Sequence, residues 1–214
     1  MEKKADFKTM KKSEVAGFIW DYYKWWIIGG IVVIVIAGNL IYHFATYKSP
    51  AVEIALVNSA NQENEPDFSK FMDKYGYDKS KQKVAFQNTF SVDLKNGSTG
   101  NMYTFEALQT QIAAGGIDVI AADKEVYLYL AKQQAAADLS DYLPAELMKK
   151  YEKDIVYVTD PDTKKKYPGG IWLQNNKWMD SYGFYPKGCV VGIVNGSGRT
   201  TAAKQMLQYI LGED

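Results

Sequence analysis

The feature of this sequence that most restricts its structure is an uninterrupted apolar run from Trp25 to Ala45. As a helix this run would be about 31 Å long, which matches the ~30 Å hydrocarbon core of a bilayer. It carries no formal charge when His43 is neutral, and every face of it is apolar except at Asn39. Because a soluble helix normally keeps a polar stripe, the pattern predicts a transmembrane helix over residues 25–45.

Aromatic and basic residues flank the run in the way that membrane interfaces favour. Six lysines precede it, whereas Lys48 is the only lysine in the 20 residues that follow it. The positive-inside rule therefore predicts a cytoplasmic segment 1–24 and an extracytoplasmic C-terminal part, in a single-pass protein of the cell membrane. Residues 2–23 form either a short amphipathic helix on the inner leaflet or a disordered tail. The flanking aromatic residues are Trp20, Tyr22, Tyr23, Trp25, Trp26, Tyr42 and Tyr47.

A cleaved signal peptide is the competing interpretation of the apolar run. Such a peptide has an apolar core of about 7 to 15 residues and a small-residue cleavage site of the Ala-x-Ala type. The run here is longer, and its nearest cleavage candidate, His43-Phe44-Ala45, is poor. No cysteine lies directly after the run to accept a lipid. We therefore expect an uncleaved anchor.

The composition excludes several classes of function. The sequence has 25 basic and 25 acidic residues, so it lacks the basic surface typical of nucleic-acid binding. Its single histidine, His43, and single cysteine, Cys189, exclude a Ser-His-Asp triad, a Cys-His pair and a thiolate metal cluster. Carboxylates are plentiful, but no spacing singles out a glycosidase pair. We expect a protein that is not an enzyme and binds no cofactor, metal or nucleic acid.

The extracytoplasmic part, residues 49–214, shows an alternation of strand and helix patterns. Short apolar runs at 52–57, 83–90 and 117–121 predict strands, and helical patterns follow each of them. Asp123 is placed to cap the third of these helices, which we expect to extend to about Ala136. This rhythm predicts an α/β domain with a mainly parallel sheet.

The pattern changes in the region 155–187. Residues 155–159 predict a strand, and short strand-like pieces on both sides of Pro168-Gly169-Gly170 suggest a hairpin or small subdomain inserted in the domain. An apolar strand at 189–194 and a helix that begins at Thr200 or Thr201 complete the chain.

Three stretches of the extracytoplasmic part carry a family resemblance. They are Gly115–Ile120 with Asp123 after it, the Asp-Leu-Ser-Asp-Tyr-Leu sequence at 138–143, and Gly192–Asn195 followed by the helix at 201–210. Together they resemble the first lobe of bacterial extracellular solute-binding proteins of ABC importers, of the family 1 type. Such proteins have two lobes, whereas only residues 155–187 stand where the second lobe would be.

The resemblance implies a single lobe of the periplasmic-binding-protein type, fused to a membrane anchor. It also implies a role in binding, as a ligand sensor or as an accessory module of a transporter. The expected partners are the lipid bilayer, an ABC transporter permease or another membrane protein, and a small-molecule ligand. The alternative is a scaffolding protein that contacts only other proteins.

Candidate ligand contacts follow from the predicted sheet and from the aromatic residues. Ligands of open parallel sheets lie beyond the carboxyl ends of the strands, which selects Asn58, Ser59, Asn88, Thr89 and Asp123. For these residues the alternative roles are turns and, for Asp123, a helix cap.

Five aromatic residues cluster in the region 155–187. Among them, Trp172 and Trp178 are candidates for stacking on a carbohydrate or a protein partner. The alternative is that these aromatics form the core of a small subdomain. They are Trp172, Trp178, Tyr182, Phe184 and Tyr185.

Overall fold

The computed structural model describes residues 12–94 and 102–212, which form two compact units that divide between Tyr47 and Lys48. The described part of the first unit is a single helix, α1 (Lys12–Thr46), which contains the predicted span and extends it toward the N-terminus. Its segment Trp20–Thr46 is long and apolar enough to cross a membrane, and none of this segment's most apolar window is buried in the protein. Residues 12–23 are thus helical, and the rest of the segment 2–23 lies outside the described residues.

The second unit, the C-terminal domain (48–214), alternates strands and helices as the sequence predicts. Most of its elements lie within a few residues of their predicted positions, although the helix after Asp123 ends at Lys132 rather than near Ala136. The strands are β1 (Ser49–Val57), β2 (Gln82–Phe90), β3 (Val119–Ala122), β4 (Ile155–Thr159), β5 (Lys166–Leu173) and β6 (Cys189–Ile193). The helices are α2 (Ser69–Lys74), α3 (Met102–Ala113), α4 (Lys124–Lys132), α5 (Ala145–Lys150), α6 (Lys177–Tyr182) and α7 (Thr200–Leu211).

The six strands form one mixed sheet in the order β2-β1-β3-β6-β5-β4. β1 runs parallel to both β2 and β3, whereas β6 pairs antiparallel with β3 and with β5, and β4 pairs antiparallel with β5. The α/β class is therefore confirmed, but the expected parallel pairing is confined to the half formed by β2, β1 and β3. β6 follows β5, its antiparallel neighbour, after a connection that contains α6.

Helices cover both faces of the sheet, and each face has its own core. Successive side chains of β1 alternate between them: Ile54 and Leu56 pack with α2, α6 and α7, whereas Ala55 and Val57 pack with α3 and α4. This alternation explains why the sequence of β1 is a nearly continuous apolar run, because a strand that is covered on both faces has no polar side. The domain is thus a three-layer arrangement with two buried faces.

The region 155–187 contains the predicted hairpin, but its turn is not at Pro168-Gly169-Gly170. β5 runs through these three residues without interruption, and the chain turns between β4 and β5 at residues 160–165. A Cβ atom at Gly169 would lie 2.4 Å from Val158 Cγ2, and one at Gly170 would lie 2.6 Å from Val190 Cγ1. The glycines are therefore required for close packing within the sheet. Both strands of the hairpin extend the domain's own sheet.

Candidate binding site

The carboxyl ends of the parallel strands bring two of the predicted residues together. Asn58 directly follows β1 and Asp123 directly follows β3, and Asn58 Nδ2 donates a hydrogen bond of 2.9 Å to Asp123 Oδ2. Asn58 has a φ of 59°, a left-handed conformation that asparagine tolerates better than most residues. A cavity of about 400 Å³ lies beside the pair, with Ser91, Leu94 and Glu125 in its lining.

The polar atoms of this pair are engaged within the protein. The Asn58 amide also donates to the Val92 carbonyl oxygen and accepts from the Val92 N–H, both at 2.8 Å. Asp123 Oδ1 accepts a hydrogen bond from the N–H of Val126 at 3.0 Å, which makes it the N-cap of α4. The pair therefore joins β1, β3 and the segment after β2, and the capping role predicted for Asp123 is confirmed.

The other polar residues predicted at this edge are divided between a loop and the solvent. Ser59 Oγ donates to the Asn61 carbonyl oxygen at 2.8 Å, and Asn88, which is buried, donates to the carbonyl oxygens of Asn61 and Asn64. These two side chains hold the loop that follows β1. Thr89 lies on β2 with its side chain exposed, apart from the others.

The two predicted tryptophans line a second, larger groove at the end of β5. This groove, the β5 groove, has a volume of about 480 Å³ and lies among the residues after β5, the start of α6 and the end of α7. Trp172 packs with the face of α3 and α4, whereas Trp178 packs with the opposite face. The Trp172 ring lies beside Lys124, whose Nζ is 5.9 Å from the ring centroid, so Trp178 is the indole on the face of α6 and α7.

The aromatic residues of 155–187 divide between the core and the β5 groove. Phe184 and Tyr185 are buried, and the Tyr185 hydroxyl lies 2.7 Å from the Val57 carbonyl oxygen. The half-buried Trp178 ring lies 5.7 Å from the Tyr182 ring and 5.8 Å from the Phe184 ring, between centroids. Part of the cluster thus belongs to the core of the whole domain, and the two tryptophans remain at its margin.

Exposed polar side chains line the rest of the β5 groove. Gln174, Asn175 and Lys177 are exposed, and their side chains make no hydrogen bond or ion pair within residues 12–94 and 102–212. Asn176, by contrast, caps α6 by accepting from the Met179 N–H at 3.0 Å. The exposed Asp154 also lines the groove. Two amides, an ammonium group and a carboxylate thus line the groove together with Trp178.

Sequence reasoning missed a buried ion pair at the opposite edge of the sheet. Asp118 is fully buried at the start of β3, and Arg199, the only arginine in the sequence, donates to its Oδ2 from Nε at 2.7 Å. Asp118 also accepts hydrogen bonds from the Ser197 hydroxyl and the Glu53 N–H. Arg199 in turn donates to the Gly116 carbonyl oxygen at 2.7 Å. The signal in the sequence was the single arginine.

Ser197 and Asp138 are polar residues of two turns outside the predicted site. Ser197, in the Gly196-Ser197-Gly198 turn before α7, donates a hydrogen bond of 2.5 Å to the Asp118 carboxylate. In the second stretch of the resemblance, Asp138 caps a single 3₁₀ turn by accepting from the Ser140 N–H. These aspartates therefore serve the fold.

Titratable and metal-binding chemistry is sparse in the described residues. Burial raises the pKa of the Cys189 thiol to about 12, so this thiol is a buried apolar group. No group of three or more histidine, cysteine or acidic side chains in residues 12–94 and 102–212 is arranged to hold a metal ion.

Comparison with known proteins does not assign the chain to a family. No family model, no curated protein and no solved structure matches it. The resemblance to solute-binding proteins therefore stays a prediction.

Proposed function

We propose that this chain is a single-pass membrane protein, anchored by α1, with its N-terminus in the cytoplasm and its C-terminal domain outside. The segment Trp20–Thr46 has a mean hydropathy of 2.2 and no protein cover over its most apolar window, so it requires another apolar environment. The excess of lysines before this segment supports the orientation.

Protease added to intact cells tests the orientation, and the mass of the mature chain tests the anchor. We expect the C-terminal domain to be digested from outside and the undigested chain to keep all of α1. A mature chain that begins near Thr46 would show that α1 is a signal sequence. Protection of the domain until the cells are lysed would reverse the orientation.

The C-terminal domain acts as a binding module, and the β5 groove takes a ligand with saccharide chemistry. Its volume of about 480 Å³ falls within the ~300–1,000 Å³ typical of small-molecule sites. Indole faces stack on the apolar faces of sugar rings, and amide and carboxylate groups bind their hydroxyls. The observation that carries this proposal is that Gln174 and Asn175 present unengaged amides in the groove that Trp178 lines.

The Asn58–Asp123 cavity is a weaker candidate than the β5 groove. The donors of the Asn58 amide and both Asp123 oxygens are already bonded within the protein. A ligand there would have to replace bonds that hold three segments of the domain together, whereas in the β5 groove it replaces only water.

Thermal unfolding of the full chain in detergent, with mono- and oligosaccharides added, tests this proposal. A ligand at one hundred times its Kd stabilises the folded state by about 2.7 kcal/mol, which raises the Tm measurably. Gln174→Ala and Asn175→Gly should reduce that shift; glycine is chosen because residue 175 has a φ of 57°. Lys187→Ala, at an exposed position outside the β5 groove, is the matched control.

No shift with any saccharide, or an equal shift in the groove variants and the wild type, would contradict saccharide binding in the β5 groove. A shift with amino acids or short peptides that the groove variants lose would keep the groove and change the ligand class. Turnover of chromogenic glycosides would instead indicate an enzyme, which we do not propose.

In the cell, the binding module serves as a ligand sensor or as an accessory subunit of a transporter of the ABC type. The three stretches that resemble solute-binding proteins support this role, although the one-lobed domain has no second lobe to close over a ligand. Co-purification of a permease with the full chain tests the accessory role.

A scaffolding role is the second candidate, because one exposed edge of the sheet offers a protein-binding surface. Among the described strands β4 pairs only with β5, and its Tyr157 side chain is 58% exposed. Edge strands present free backbone groups to partner chains. Loss of a co-purifying protein on Tyr157→Lys, with saccharide binding unchanged, would favour scaffolding.

A further inference from the structure

Asn39 places an amide within the apolar segment of α1. Its Nδ2 donates a hydrogen bond of 2.9 Å to the Val35 carbonyl oxygen four residues earlier. The second N–H and the Oδ1 atom of this amide have no partner among the described residues. Hydrocarbon supplies none either, and polar side chains in membrane helices are commonly bonded to a neighbouring helix.

Asn39 also marks one face of the helix. Residues three and four positions apart lie on the same side of a helix, and from Asn39 this spacing selects Ile28, Val32, Val35 and Tyr42. All four side chains are exposed, and three of them are β-branched. The spacing of four and three residues is that of the seam between two coiled helices. We call these five residues the Asn39 face.

We propose that two copies of this chain associate side by side in the membrane through the Asn39 face. An amide carries both a donor and an acceptor, so two Asn39 side chains related by a two-fold axis satisfy each other. This self-complementarity selects a second copy as the occupant. Copies inserted in the same orientation are parallel, the arrangement that a single asparagine in such a seam specifies. The inference rests on the proposed membrane anchor.

The seam also explains why the glycines of α1 are not the contact. Helices that approach closely use small residues four positions apart on one face. Gly29, Gly30 and Gly38 are separated by one and eight residues and do not have that spacing. At about 100° per residue, all three also lie outside the Asn39 face.

Cysteine cross-linking of the full chain in bacterial membranes tests the proposal. Cys189 is the only natural cysteine, so Cys189→Ala gives a background without thiols. Val35→Cys and Tyr42→Cys place a thiol on the Asn39 face, whereas the matched controls Ile34→Cys and Ile41→Cys place it on the opposite side. We expect oxidative dimers from the first two variants and few from the controls.

Variants at Asn39 then identify the bond. Asn39→Val removes the amide and should weaken association by about three- to thirtyfold, the range measured for single bonds between membrane helices. Asn39→Gln keeps an amide and should retain most of the dimer. Equal cross-linking from both sides of the helix, or no effect of Asn39→Val, would overturn the proposal.

Failure of the anchor itself would be distinguishable. If α1 is removed as a signal sequence, the mature chain is shorter and leaves the membrane fraction, and both proposals fall. If the full-length chain stays in membranes but shows no preference for the Asn39 face, only the dimer falls. A cross-linked product heavier than two chains would replace the second copy by another protein.

Discussion

Replacing Arg199 by methionine should be one of the most damaging single changes in the C-terminal domain. Asp118 is fully buried, and Arg199 supplies the only positive charge that contacts it, at 2.7 Å, among the described residues. Methionine preserves much of the volume but leaves a carboxylate buried without a counter-charge. Removal of one partner from a buried ion pair costs about 3–5 kcal/mol. For a domain of this size, that loss lowers Tm by roughly 6–20 °C.

A double-mutant cycle separates the ion pair from the packing of its residues. Asp118→Asn alone removes the buried negative charge and should cost less, about 1–3 kcal/mol, because Arg199 is partly exposed and can bind water. With both changes together the fully buried charge of Asp118 is removed and only the partly buried Glu53 carboxylate loses its ion pair with Arg199, so the double variant should be more stable than the sum predicts by about 0.5–3 kcal/mol. Lys187→Met, which removes an exposed charge, should change stability by under about 0.5 kcal/mol.

Urea unfolding of the full chain in detergent, followed by near-ultraviolet circular dichroism, measures these differences. This signal reports tertiary packing of the C-terminal domain rather than the helicity of α1. Additive losses for Asp118→Asn and Arg199→Met would refute the reasoning, as would an Arg199→Met variant as stable as the control. Either result would mean that Ser197 and the Glu53 N–H compensate the Asp118 charge without the guanidinium.

Three further changes test other parts of the domain. Burial holds the pKa of the Cys189 thiol at about 12, above its ordinary 9.0, so the folded state loses stability as the pH rises from 9 toward 12, where the unfolded chain ionises this thiol first. A thiol reagent at pH 8 should label Cys189 only after unfolding. Gly192→Ala would place a Cβ atom against the Tyr127 hydroxyl oxygen and should lower the free energy of unfolding in urea by about 1–3 kcal/mol. Adding Tyr127→Phe should recover part of this loss. Gly198→Ala, whose Cβ meets nothing within 4 Å, is the control and should be tolerated. Asp123→Ala should cost about 0.5–2 kcal/mol through loss of the α4 cap; unchanged unfolding would show that the cap carries no stability.

The elements of the fold that the sequence predicts are those with a local cause. β1 and β6 are apolar runs because both their faces are covered, and α7 has an apolar face because only one of its sides packs on the sheet. Each of these patterns is complete within a single segment. Period and burial therefore sufficed to place them.

The elements that were misread have distant causes. Pro168-Gly169-Gly170 has the composition of a turn, yet it lies inside β5. Glycine is needed at 169 and 170 because Val158, Val190 and Tyr127 leave no room there for a Cβ atom. Pro168 lies next to a register shift at Gly169 of its own strand, where a missing N–H is tolerated. These neighbours come from other strands and from α4, so no local pattern shows them.

The candidate site divides in the same way. That Asn58 and Asp123 share one edge of the sheet follows from parallel strands, and the structure brings them together. The hydrogen bonds that engage the Asn58 amide, however, come from the backbone of Val92, which belongs to a third segment. The Asp118–Arg199 pair joins residues 81 positions apart, and the β5 groove combines residues after β5 with the end of α7. Contacts of this separation are set by topology.

The position of β6 has a consequence for how the domain forms as it emerges from the ribosome or the translocation channel. β6 lies between β3 and β5 in the sheet, yet it is the last strand to be synthesised. Until it arrives, the nascent chain holds a three-stranded piece and a hairpin, each with an open, apolar edge. Such edges are prone to aggregate, and pairings distant in sequence form slowly. The sheet is therefore completed only when the residues from Cys189 onward have emerged, and a chaperone has most to protect in the interval before them.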